Sequence, residues 1–195
     1  MVKILTVCTG NICRSPFAER YLQTHLDELA PGRFELSSAG TQAMVGKPMD
    51  RRSAELLEQA GGSDDGFQAR QLNEMMLSDV DFVLTLTVEH RNLVLARSPR
   101  MLKRAFTVRE FARVLDAIRA DDAVSLPRGG DPEDIAARWK ALPKLAALKR
   151  HQAHAGGDDV VDPYRQPSEV YARMIDQLLP PLRSIVEFEA AAVRA

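Results

Sequence analysis

Val2-Lys-Ile-Leu-Thr-Val-Cys8-Thr-Gly-Asn-Ile-Cys-Arg14-Ser15-Pro16 reads as a strand, a tight loop and the start of a helix. The run from Val2 to Val7 is aliphatic apart from Lys3 and Thr6 and rich in β-branched residues, the pattern of a strand covered on both faces in a parallel sheet. Cys8 closes it. Gly10 and Asn11 tolerate unusual backbone angles, and Pro16 suits the first position of a helix. Ligands of open α/β sheets collect at the C-terminal edge of the strands, which is where Cys8 stands.

A short loop curled between a strand end and a helix start turns successive backbone N–H groups inward, and the helix terminus adds positive charge on the same side. Thr9, Gly10, Asn11, Ile12, Cys13, Arg14 and Ser15 would line such a cradle, whose shape and charge suit a tetrahedral oxyanion. The Arg14 guanidinium can grip two oxygens of a phosphate and stays ionised. The same field favours a thiolate at Cys8 over a thiol, giving a nucleophile beside the anion site.

Cys8-x5-Arg14-Ser15 resembles the signature loop of the low-molecular-weight protein-tyrosine phosphatase family. Three further segments resemble that family in the same order: Ser37-Ser38-Ala39-Gly40-Thr41, Ala69-Arg70-Gln71 and Asp162-Pro163-Tyr164. The resemblance implies that Cys8 attacks phosphorus to form a phosphocysteine. Asp162 would protonate the leaving phenolate and then activate water, with Arg14 and the loop amides holding the transition state. Asp158 and Asp159 lie close by as rival carboxylates. Asn11, Ser15 and Ser38 match the residues that brace the family's loop. Cys13 matches a second loop cysteine able to protect the nucleophile as a reversible disulfide. One departure stands out: many members carry a histidine two residues before Ala-Arg-Gln, and this chain has Phe67.

The implied substrate is a phosphotyrosine protein, whose long aryl ester reaches a deep thiolate where phosphoserine falls short. Tyr164 and Met44 are the expected walls. The segment Met44-Val-Gly-Lys-Pro48 lacks the aromatic residue of eukaryotic-type members and looks like the bacterial subgroup that opposes tyrosine autokinases. Two other readings stay open: an arsenate reductase using an external low-molecular-weight thiol, and a dormant phosphotyrosine-binding regulator.

Composition agrees with an enzyme of this kind. The chain has 195 residues, 45% apolar content and a formal net charge of −1. It can bury one substantial core and has no basic bias toward nucleic acid. No membrane-length apolar run or charged leader is present, so a cytoplasmic protein is expected. The sequence leaves the oligomeric state open, with a monomer as the default. The two cysteines both lie in the loop, leaving no disulfide framework and no zinc set. No metal or cofactor is expected; His151 and His154 lack further ligands nearby.

Alternating patterns predict a three-layer α/β fold, a four-stranded parallel sheet with helices on both faces. Strands are expected at about 2–8, 34–38, 80–86 and 104–107. Helices are expected at 16–29, 50–60, 71–78 and 88–97, with a terminal one over 167–190 that Pro180-Pro181 should kink or interrupt. The whole chain reads as one domain with a helical insertion at about 108–157, ahead of the general-acid loop. Within it lie a helix over 109–118, a loop over 120–132 and a helix over 133–154 broken near Pro143. Trp139 is the expected anchor of this insertion, and Lys140, Lys144, Lys149 and Arg150 its solvated face.

Overall fold

The computed structural model describes residues 1–121, 124–153 and 156–194. Four strands, β1 (Val2–Cys8), β2 (Phe34–Gly40), β3 (Phe82–Thr85) and β4 (Ala105–Thr107), form one parallel sheet in the order β2-β1-β3-β4. The central strand shows why both faces must be covered. Val2, Ile4 and Cys8 point into one apolar cluster and Leu5 and Val7 into another, the period of two expected of a pleated strand.

Helices α1 (Arg14–Leu29), α5 (Val108–Arg119), α6 (Pro132–Lys149) and α7 (Ser168–Val193) pack over the first face. Helices α3 (Glu74–Asp79) and α4 (Val88–Arg97) pack over the second, and α2 (Arg51–Gln59) leans on α1 and α7. These are the three layers expected. Starts are set by local chemistry: Asp50 accepts the backbone N–H groups of Arg52 and Ser53 at the head of α2. Thr107 and Glu110 form a reciprocal capping box at the head of α5.

The helix interruptions expected at prolines do not occur. Helix α7 runs through Pro180 and Pro181 without interruption, and α6 runs through Pro143. Packing overrides the local penalty: Leu178, Leu182 and Ile185 are fully buried on one side of α7, and Leu142, Pro143 and Ala146 are buried on α6. The helix expected over 133–154 is therefore unbroken at Pro143. It ends at Lys149 and passes into a 3₁₀ turn over Arg150–Ala153, while His154 lies outside the described residues. His151 Nδ1 meets the Leu148 carbonyl at 2.9 Å, an ordinary helix-end contact.

Helices α5 and α6, in the 108–157 segment, belong to the core. Trp139 is fully buried, stacked on Phe82 with ring centroids 5.9 Å apart and edge-on to Phe34 at 5.1 Å. Phe34 and Phe82 open their strands, so α6 covers the end of the sheet opposite Cys8. Buried Glu189 of α7 locks it there, accepting from Arg138 Nη2 at 2.5 Å, Arg138 Nε at 3.0 Å and Trp139 Nε1 at 2.6 Å. The expected solvated face is only partly so. Lys140 and Lys144 are exposed, but Lys149 pairs with Asp121 and Arg150 lies over Phe106 at 4.6 Å and against Glu110 at 2.6 Å. Among the described residues no helix is long and apolar enough to cross a membrane, and no cluster of side chains is arranged to hold a metal ion.

Candidate active site

The loop after β1 curls as its sequence requires. Asn11 adopts a left-handed φ of 54°, and Gly40 lies so close beneath Thr9 that a Cβ there would come within 2.3 Å of the Thr9 carbonyl oxygen. The carbonyls of Cys8, Thr9, Gly10 and Ile12 are tied outward, accepting from the amides of Thr41, Gln42, Met44 and Asp50 at 2.7–3.0 Å. Those oxygens are turned toward the 41–50 segment, and the Asn11 N–H points inward at Cys8 Sγ. A loop lined by such N–H groups would stabilise an oxyanion.

Cys8 lies at the base of the loop, 2% exposed. Its Sγ accepts from the Asn11 amide at 3.3 Å and sits 2.9 Å from Ser15 Oγ. Asn11 Nδ2 donates to Ser15 Oγ at 2.9 Å, leaving the Ser15 proton free to point at sulfur. Cys13 is also buried and unbridged. Burial pushes its thiol up to about 12, although Ser53 offers a hydrogen bond that pulls the other way. Cys13 is thus a thiol at neutral pH.

Arg14 is nearly buried at the first turn of α1. Nη1 donates to the Val160 carbonyl at 3.1 Å, Nη2 reaches Thr9 Oγ1 at 3.5 Å, and Nη2 pairs with Asp162 Oδ2 at 2.8 Å. Among the described residues its buried Nε has no hydrogen-bond partner. The three neighbouring carboxylates separate by what they touch. Asp158 pairs with Arg113 of α5, and Asp159 accepts from the Val88 amide at the head of α4 at 2.8 Å. Asp162, with a half-exposed side chain, is the one that reaches the cradle.

Ser38 is hydrogen-bonded to Asn11 of the loop, and a partner missed in the sequence extends the chain of contacts. Asn11 Nδ2 donates to Ser38 Oγ at 2.7 Å, and Ser38 donates in turn to Glu19 of α1. Asn11 Oδ1 accepts from the Arg70 amide at 2.7 Å. Burial raises the Glu19 carboxyl, with Ser38, Arg20 and Arg70 opposing. Phe67 occupies the position of the missing histidine as a buried ring beneath Arg20, 5.7 Å from the guanidinium, so Glu19 supplies the brace directly. Glu19 had a visible signal, being acidic on the same helix stripe as buried Ser15, Leu22 and Leu26.

His90 was also missed. Its Nε2 meets Thr9 Oγ1 at 2.9 Å and its Nδ1 meets Thr87 Oγ1 at 2.9 Å. Burial, reinforced by the Arg14 charge, lowers the ring to about 4, while Asp162 and Asp159 oppose. Neutral His90 therefore holds Thr9, which touches Arg14. The mouth of the site is a cleft of about 140 Å³ between Met44 and Tyr164, with Gln42 on its rim. Gln71 pins that wall, donating to the Thr41 carbonyl at 3.0 Å and accepting from the Ala43 amide at 2.9 Å.

Comparison with known proteins places this site in context. The family model described as "Low molecular weight phosphotyrosine protein phosphatase" matches residues 3–137; the Asp162 loop lies beyond that match. Etp of Escherichia coli (strain K12), a low molecular weight protein-tyrosine-phosphatase, is 39% identical over 98 residues, 50% of this chain and 63% of that protein. YfkJ of Bacillus subtilis (strain 168), similarly named, is 33% identical over 129 residues, 65% of this chain and 80% of that protein. The chain spans 57–63% of the length of several curated relatives it matches. Among solved structures, the low molecular weight protein tyrosine phosphatase of T. tengcongensis superimposes with a TM-score of 0.67 at 26% identity, covering 96% of this chain and 99% of that one. The YwlE arginine phosphatase of Geobacillus stearothermophilus shares the fold, with a TM-score of 0.65 at 24% identity over 96% of this chain and 92% of that one. On the family match and the YfkJ relationship, the chain belongs to the low molecular weight phosphotyrosine protein phosphatase family.

Proposed function

We propose that this chain hydrolyses protein phosphotyrosine through a phosphocysteine at Cys8. The observation that carries the reading is the loop whose carbonyls face outward, with Cys8 Sγ at its base and the Arg14 guanidinium at its side. Phosphate enters the cradle and takes over from Asp162 as the partner of Arg14. Sulfur then attacks phosphorus, the S–P bond forming as the P–O bond to the phenol breaks. Asp162, freed from Arg14 and protonated from solvent beside the bound phosphate dianion, gives that proton to the departing oxygen.

In the second step water loses a proton to Asp162 and attacks phosphorus, breaking the S–P bond and releasing inorganic phosphate. Charge on the equatorial oxygens is met in both steps by loop amides and Arg14. The scheme uses no metal or cofactor. Met44 and Tyr164 would hold the aryl ring, and the burial of Cys8 favours the longer phosphotyrosine over phosphoserine. The natural substrate class is a phosphotyrosine protein, a tyrosine autokinase among them.

The test is phosphate release from phosphotyrosine, phosphoserine and phosphoarginine peptides by the wild type and Cys8→Ser, with reductant and chelator present. Release from phosphotyrosine alone, abolished in the variant, is expected. Preference for phosphoarginine would overturn the substrate assignment. Release that persists in Cys8→Ser would overturn the mechanism. No release at all would reopen arsenate reduction with a small thiol, or a binding role.

A further inference from the structure

A second, wider cleft opens on the other side of Tyr164. It measures about 640 Å³ and is bounded by the head of α2 and the loop after Pro163. Tyr164 lines both clefts, so they adjoin at one side chain. Three guanidiniums, those of Arg51, Arg52 and Arg165, face two carboxylates there.

The carboxylates are already engaged. Asp50 Oδ1 accepts from the amides of Arg52 and Ser53 at 3.1 and 3.2 Å, setting its charge against the head of α2. Glu55 pairs with Arg51 at 2.9 Å on the exposed helix surface, where such a pair is weak and readily exchanged. Arg52 Nη1 donates to the Gln166 carbonyl at 3.0 Å and its guanidinium covers Tyr171 at 5.4 Å, fixing this loop to α2.

Arg165 is the unusual member. Its backbone takes a left-handed φ of 59°, which is uncommon for a residue other than glycine and costs about 1 kcal/mol or more. That conformation lays its guanidinium against the Tyr164 ring, 5.1 Å from the centroid. Among the described residues no carboxylate lies within ion-pair distance of it. A planar cation is therefore held at the rim of the catalytic cleft with its donors open to a ligand.

We propose that this cleft binds an anionic side chain, a carboxylate or a second phosphate, flanking the phosphotyrosine in the same polypeptide. The proposal rests on the phosphotyrosine reading above and deepens it. An extended peptide advances about 3.5 Å per residue, so a group one or two positions from the target tyrosine can pass Tyr164 and reach Arg165 and Arg51. Arg165 would grip its oxygens in a fork, and Arg51 would exchange Glu55 for it. The preferred substrates would be acidic or multiply phosphorylated tyrosine segments.

The test measures kcat/KM on three matched phosphotyrosine peptides with glutamate, glutamine or a second phosphotyrosine beside the target, and on a small aryl phosphate. At low ionic strength the glutamate and doubly phosphorylated peptides should exceed the glutamine peptide by about fivefold or more, the gap closing at high salt. In Arg51→Gln/Arg165→Gln the ratio of glutamate to glutamine peptide should fall toward one. A ratio is unaffected by any uniform loss in the variant. A gain for the doubly phosphorylated peptide alone identifies phosphate as the ligand; a gain for both identifies any oxyanion. Equal rates on all peptides, or a preference retained in the double variant, would overturn the proposal while turnover of the aryl phosphate leaves the phosphatase reading standing. Failure to turn over the aryl phosphate would overturn both.

Discussion

His90 makes the pH dependence of this fold calculable. Its ring is lowered from 6.5 to about 4 in the folded chain, so an unfolded chain binds a proton that the folded one refuses. Stability from this residue is complete above about pH 6.5, falls as pH drops through the interval, and is gone below about pH 4. At about 1.4 kcal/mol for each tenfold change in proton affinity, the whole effect is about 3 kcal/mol. About 2 kcal/mol of it falls between about pH 7 and pH 5. Glu19 works in the opposite sense: its raised carboxyl takes up a proton sooner when folded, which favours the folded chain as pH falls. Comparing the wild type with His90→Gln isolates the histidine. Urea unfolding should show the wild type losing about 2 kcal/mol more than the variant over that interval, about 1 M in midpoint. At neutral pH the variant should already be weaker by about 1 kcal/mol, because Thr9 and Thr87 lose their partner. Stability curves that run parallel across the interval would refute the argument that His90 is held neutral.

Other outcomes follow from the same geometry. Asp162→Ala should lose much more activity on poor leaving groups than on good ones, read as a steepened dependence of kcat on the leaving phenol. A loss equal across leaving groups would take the acid role away from Asp162. Glu189→Gln strands the buried Arg138 charge and should cost about 3–5 kcal/mol in denaturant, with kcat of the surviving folded fraction unchanged because α6 lies at the far end of the sheet. A loss below about 1 kcal/mol would mean that this lock does not hold α6.

The sequence carried the loop because its chemistry is local: a cysteine at a strand end, turn residues, an arginine and a helix start lie in one short run. The same holds for the parallel sheet, whose central strand is apolar on both faces. The choice among Asp158, Asp159 and Asp162 was not local. It depends on Arg113 of α5 and the head of α4, which only the fold brings to those carboxylates. Glu19 and His90 look like ordinary helix residues until Ser38 and Thr9 are set beside them. No interruption occurs at Pro143 or Pro180-Pro181 for the converse reason, since burial of Leu142, Leu178 and Leu182 holds the helices through positions that propensity disfavours.

The central claim is that the phosphoryl group travels on Cys8, and trapping it there tests this most directly. Asp162→Ala, slowed in the step that releases phosphate, would be mixed with an aryl phosphate bearing a good leaving group, quenched with acid within a turnover, and mapped by peptide mass spectrometry. The account requires one added phosphoryl group on the peptide containing Cys8, absent when Cys8 is alkylated beforehand. A phosphoryl group on another residue, or a burst of phenol with no phosphorylated peptide at all, would contradict it.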